Sequence, residues 1–181
     1  MPNVVENTRP VCIGEIVVSD APGDVLIAYG LGSCVAVCLY DPVAHIGGML
    51  HALLPTAPSE DGDEGKHAKF VDQGVPLLIE ALLKLGAGRA RLVAKMCGGA
   101  AVLSAPGLSN SHAIGERNVQ AAEAALREAG LRIQAQATGG HIGRTVKLYI
   151  ANGQVITRSL GQGEQILERL PSIYGECSDT P

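Results

Sequence analysis

Between residues 13 and 54 the chain runs as short stretches of β-branched and small apolar residues, broken repeatedly by Gly and Pro. That pattern suits consecutive strands and leaves no room for a long helix. Strands are expected at 13–19, 25–29, 35–40 and 46–54. Helical spacing enters later: Phe70 or Val71, Val75, Leu78, Ile79, Leu82 and Leu85 fall on one face, ending at Gly86. Pro76 should sit in an early turn of that helix or kink it. A second helix is expected over 116–129, with Val119, Ala122 and Leu126 together and Gly130 as C-cap. Further strands are expected at 91–97, 131–138, 145–150 and 155–159, the last two joined by the hairpin pair Asn152-Gly153. The acidic run at 60–65 reads as a solvated loop. Seven or more strands with two irregularly spaced helices predict a mixed α/β (α+β) fold, not a regular doubly wound sheet.

A length of 181 residues fits one domain, and 46% hydrophobic residues can fill a sizeable core. Only 3% are aromatic, so Val, Leu, Ile and Ala must supply that core. Few aromatics and a net charge of −4 argue against nucleic acid as a partner. Acids concentrate early: residues 1–65 hold nine against one base, Arg9, whereas 66–181 hold thirteen bases and nine acids. This is read as ordinary surface variation, with a steering field for a basic partner as the sharper alternative.

The first residues lack a basic cluster followed by an apolar run, so no secretory signal is expected. The uncharged stretch 42–59 contains two histidines and three prolines, unlike a membrane-spanning helix, and no direct membrane insertion is expected. Five cysteines (12, 34, 38, 97 and 177) without a C-x-x-C pair suit reduced thiols and a cytoplasmic location.

Cys34 stands apart because it leaves a turn, Gly30-Leu31-Gly32-Ser33-Cys34, at the start of a strand. A thiol there can face a ligand while turn amides at Gly32 and Ser33 stabilise an oxyanion. The competing view is a buried cysteine acting as a small hydrophobe, as Cys38 and the other cysteines do. A nucleophilic thiol needs a base, and His51 is the best candidate, since a polar ring among apolar strand residues must be bonded. Pairing Tyr40 with His45 across the intervening turn would set Cys34 directly opposite His51. The alternative is a core histidine bonded to backbone. Cys34, Cys38 and His51 make a poor zinc set, lacking a fourth local ligand, so no metal is expected.

The run Gly30-Leu31-Gly32-Ser33-Cys34-Val35-Ala36-Val37-Cys38-Leu39-Tyr40-Asp41-Pro42, followed by His51-Ala52-Leu53-Leu54-Pro55, closely resembles the CheD family of chemoreceptor glutamine deamidases. The likeness continues through Lys95-Met96-Cys97-Gly98-Gly99-Ala100, Ile114-Gly115-Glu116-Arg117-Asn118 and Thr138-Gly139-Gly140, over about residues 11–168 with flexible ends beyond. It implies a β-sandwich-like mixed core flanked by helices, similar to the catalytic domains of deamidating toxins. It also implies Cys34 as nucleophile and His51 as base, without a cofactor. The activity implied is hydrolysis of a glutamine side-chain amide on chemoreceptor cytoplasmic domains, through a thioester, in chemotaxis adaptation. One position departs: the family commonly has Thr six residues before the cysteine as a third catalytic group, and this chain has Ala28. A backbone carbonyl can hold the imidazole in place of that hydroxyl. Ala28 also favours the alternative implied function, an adaptor that binds chemoreceptors or a CheC-type phosphatase.

Overall fold

The structure is a computed structural model that describes residues 6–58, 67–102 and 110–168. The acidic run at 60–65, Cys177 and the chain ends at 1–5 and 169–181 lie outside the described residues. In chain order the elements are β1 (Asn7–Pro10), β2 (Glu15–Ser19), β3 (Asp24–Leu31), β4 (Val35–Asp41), β5 (Ile46–Ala52), α1 (Val71–Leu85), β6 (Val93–Gly98), α2 (Asn110–Glu128), β7 (Ile133–Thr138), β8 (Arg144–Tyr149), β9 (Val155–Ser159) and β10 (Glu164–Ile166). They form two five-stranded sheets, ordered β1-β3-β8-β9-β10 and β2-β5-β4-β6-β7.

The second sheet is the middle layer. Every residue of β4 and β5 is buried, which is why both read as near-continuous apolar runs. Strand alternation divides them between two cores. Val35, Val37, Leu39, Leu50 and Ala52 pack with α1 and α2, while Ala36, Cys38 and Met49 pack with Leu26, Ala28, Val146 and Leu148 of the other sheet. The inter-sheet residues of this layer are mostly small, so Leu, Ile and Val side chains of the facing sheet fill the seam, together with Tyr40, whose hydroxyl donates to the Ile150 carbonyl at 3.0 Å. A mixed sandwich with helices on one face is the architecture expected from the resemblance.

Several boundaries differ from expectation for local reasons. The strand expected from residue 13 begins at Glu15, because the Glu15 N–H donates to the Cys12 carbonyl while the Cys12 N–H donates to the Glu15 carboxylate, closing a turn. The edge strands β1 and β10 have no apolar alternation, Asn-Thr-Arg-Pro and Glu-Gln-Ile, and exist only through pairing with β3 and β9. Helix α2 begins six residues before the expected Glu116. At its sixth residue, Gly115, a Cβ would lie 2.7 Å from the Gly99 carbonyl oxygen, so helix and turn touch backbone to backbone there. The strand expected from residue 91 starts at Val93, since Arg91 closes a short 3-10 turn over Arg89–Arg91. Helix α1 matches its expected span, with Pro76 in the second turn and Gly86 as its left-handed cap.

Candidate active site

The hairpin joining β4 to β5 decides where His51 stands. Asp41 pairs with Ile46, leaving Pro42 to His45 in the loop, and the ladder runs Val35 to Ala52 and Ala36 to His51. The expected register, Tyr40 with His45 and Cys34 with His51, is therefore corrected. The reason is Asp41, whose carboxylate accepts the N–H groups of Val43 at 2.9 Å and Ala44 at 3.2 Å and so stabilises a four-residue loop. His45 completes that loop at φ 55° and bonds the Tyr40 hydroxyl at 3.0 Å.

Cys34 lies two positions before Ala36, on the same side of the sheet, and so is a diagonal neighbour of His51. Such pairs stand roughly 7 Å apart at the backbone, within reach of a long side chain. Both are buried, Cys34 at 8% exposure and His51 at 3%. They sit at the seam between the sheets, where β3 bulges at Tyr29 and Gly30 before turning towards Cys34. Gly30, at φ 61°, takes the left-handed conformation this bend requires.

His51 is gripped by the turn that follows β1. Its Nδ1 lies 2.9 Å from the Val11 carbonyl oxygen, and its own carbonyl accepts the Gly14 N–H at 2.7 Å. A carbonyl can only accept, so Nδ1 carries the proton and Nε2 presents its lone pair. Nε2 is buried and has no hydrogen-bond partner among the described residues. Ala28 is fully buried in the cluster containing Cys34 and brings only a methyl group. The Val11 carbonyl thus occupies the imidazole N–H.

The turn before Cys34 is held peptide by peptide. The carbonyl of Gly32 accepts from Ala100 N–H at 2.7 Å, that of Ser33 from Asn118 Nδ2 at 2.8 Å, and that of Cys34 from Gly99 N–H at 2.8 Å. A Cβ at Gly98 would come within 2.2 Å of the Cys34 carbonyl oxygen, so only glycine permits this approach. Asn118 and the Val11 carbonyl were not singled out from sequence. Asn118 had a signal: it falls at i−4 and i−8 from Ala122 and Leu126, a polar residue in an apolar stripe.

Electrostatics favour an uncharged pair. Burial pushes the Cys34 thiol up, opposed by its own backbone N–H. Burial pulls His51 below 6.5, opposed by the Val11 carbonyl and by Glu15. His51 is therefore a neutral base near pH 7. Burial raises Cys38 far more and pushes Cys97 up to about 12, leaving both as inert thiols. Among the described residues no group of three or more His, Cys, Asp or Glu is placed to hold a metal ion, and no helix is long and apolar enough to cross a membrane.

The family model described as CheD chemotactic sensory transduction matches residues 53–159, a segment beginning just past His51. Matches to curated proteins extend further. The chain is 44% identical over 155 residues to the probable chemoreceptor glutamine deamidase CheD of Symbiobacterium thermophilum, covering 86% of this chain and 94% of that one. It is 45% identical over 158 residues to the protein of the same description from Pyrococcus abyssi, covering 87% and 94%. With the chemoreceptor glutamine deamidase CheD of Thermotoga maritima it shares 42% identity over 154 residues, covering 85% and 93%. A crystal structure of the Bacillus licheniformis hypothetical protein YfiH overlaps 75% of this chain and 59% of its own, with a TM-score of 0.43 and 13% identity. On its family match and these relatives, the chain belongs to the CheD family.

Proposed function

We propose that this protein is a protein-glutamine deamidase that hydrolyses glutamine side-chain amides of chemoreceptors to glutamate, with release of ammonia. One observation carries the chemistry: Nδ1 of His51 is committed to Val11, so Nε2 is left as a buried, unprotonated base on the face that bears Cys34. The names borne by relatives at 42–45% identity supply the substrate class.

In this reading Nε2 of His51 takes the Cys34 proton as the sulfur attacks the carboxamide carbon. The oxyanion forms beside the Ser33 and Cys34 N–H groups, whose peptide planes are set by the anchored carbonyls. The tetrahedral adduct collapses, the C–N bond breaks, and the imidazolium returns its proton to departing ammonia. Water, deprotonated by the same nitrogen, then cleaves the thioester to glutamate and free thiol. Each cycle adds one negative charge to the receptor surface, a change suited to chemotaxis adaptation, and a substrate on receptor cytoplasmic domains requires the enzyme to act in the cytoplasm.

The test is incubation with a receptor cytoplasmic fragment. Mass should rise by about one dalton per glutamine with equivalent ammonia release. Ala28 favours a second reading, in which the chain binds receptors or a CheC-type phosphatase as an adaptor. Binding of a fragment without any mass change would select it.

A further inference from the structure

Asn118 is wholly buried on α2, in the stripe that packs against the middle sheet. Its side-chain nitrogen donates to two carbonyls on different strand ends, Ser33 at 2.8 Å and Leu53 at 2.9 Å. An amide nitrogen has two hydrogens, so both are spent on these bonds. The Oδ1 atom is buried without a hydrogen-bond partner among the described residues, an arrangement that costs stability. Asn118 is thus held for its two donors.

What those donors hold is informative. Ser33 contributes the carbonyl of the peptide that precedes Cys34, and the peptide is trans. In a planar trans peptide the C=O and N–H point to opposite sides. Drawing the Ser33 oxygen towards α2 turns the Cys34 N–H away from the helices, towards the inter-sheet seam where the Cys34 side chain packs. The flanking peptides are fixed by backbone donors alone, Ala100 to Gly32 and Gly99 to Cys34. Of these three peptides, the Ser33–Cys34 peptide alone is oriented by a side chain among the described residues. The second bond, to Leu53, ties the same side chain to the end of β5, two residues past His51.

We propose that Asn118 is a positioning residue, which aims the Cys34 N–H at its own sulfur and at the oxyanion formed there, and locks the β5 end carrying His51 to the β4 start carrying Cys34. This rests on the reading of Cys34 as the nucleophile. Asn118 touches no reacting atom and acts through one peptide plane.

The test uses the full chain with Asn118→Ala and Asn118→Asp, the latter preserving shape but lacking the NH2 donors. Alkylation of Cys34 by iodoacetamide is followed against pH, resolved from exposed Cys12 by peptide mass, well below each melting temperature. The expected result is a roughly tenfold slower reaction at pH 7 and an apparent thiol pKa higher by about one unit. On a receptor fragment, kcat should fall with KM held within about twofold, the sign of an interaction made in the transition state. A folded variant with an unchanged alkylation profile would make Asn118 a structural clamp only and overturn the proposal. Should neither variant fold, the parent decides: the Asn118 side-chain amide resonances should move with the Cys34 titration, and resonances that stay still overturn it. If the parent deamidates no fragment, the deamidase reading fails by itself, and the alkylation and resonance arms still judge Asn118.

Discussion

The Nδ1 atom of His51 lies 2.9 Å from the Val11 carbonyl oxygen, and this bond selects which imidazole nitrogen can accept a proton. Val11 is itself fixed, its N–H donating to the Ile27 carbonyl at 2.8 Å. The bond therefore spans both sheets, because Ile27 lies on β3 and His51 on β5. His51→Ala should abolish turnover and slow Cys34 alkylation at pH 7, the Cys34 rate being separated from that of exposed Cys12 by peptide mass. Equal Cys34 alkylation in parent and variant would reduce His51 to a core residue.

Cys34→Ser should eliminate ammonia release and leave thermal unfolding nearly unchanged. Oxygen for sulfur is close to isosteric at this site, yet a serine hydroxyl is a far weaker nucleophile at neutral pH. Residual activity in a normally folded Cys34→Ser protein would move the nucleophile elsewhere.

The pH dependence follows from the direction of the His51 shift. Burial stabilises the neutral ring, so the base form persists below the ordinary value of 6.5. The acid limb of kcat/KM should have its midpoint below 6.5, and Glu15→Gln, removing the charge that opposes burial, should move it lower still. A limb at or above 6.5 in the parent would contradict a buried neutral base.

Ala28→Thr tests how far the Val11 carbonyl substitutes for a side-chain hydroxyl. With the Nδ1 proton already taken, the added hydroxyl has no imidazole N–H to orient, and kcat should stay within about twofold of the parent, well under 1 kcal/mol of barrier. Two extra heavy atoms in a fully buried site should cost about 1–3 kcal/mol of stability. A tenfold gain in kcat would show that the imidazole of the parent is poorly held.

Asp41 is fully buried and binds Arg91 through Nη2 at 2.6 Å and Nε at 3.0 Å, with the Gly88 N–H at 2.7 Å. Arg91 holds its carboxyl well below the ordinary value of 3.8. A depressed carboxyl stabilises the fold above that value and loses its contribution as pH falls. Arg91 is half-exposed, so solvent screens the pair, and Asp41→Asn should cost about 1–3 kcal/mol at pH 7, with the deficit shrinking in acid. Denaturant midpoints at pH 7 and pH 3 measure both effects, and an equal deficit at the two values would exclude the charged pair as its source.

Strands β3, β4 and β5, helix α1 and the β8–β9 hairpin were legible in the residues themselves, as was the placing of Cys34 and His51 at the same end of the β4–β5 pair. Each depends on local pattern: apolar runs, helical spacing, Asn-Gly, or a thiol leaving a glycine turn. Local pattern did not settle the register, since Asp41 lengthens the β4–β5 loop and moves His51 from Cys34 to Ala36. It could not reveal β1 or β10, whose polar residues become strands only when a neighbour supplies the hydrogen bonds. Nor could it name Val11, forty residues from His51, or the bonds of Asn118 to Ser33 and Leu53 across eighty-five and sixty-five residues. The residue types that can do chemistry are a property of the chain. Which backbone carbonyl bonds the His51 ring, and which helix side chain bonds the peptide before Cys34, are decided by long-range packing, because a carbonyl carries no side-chain signature and every residue has one.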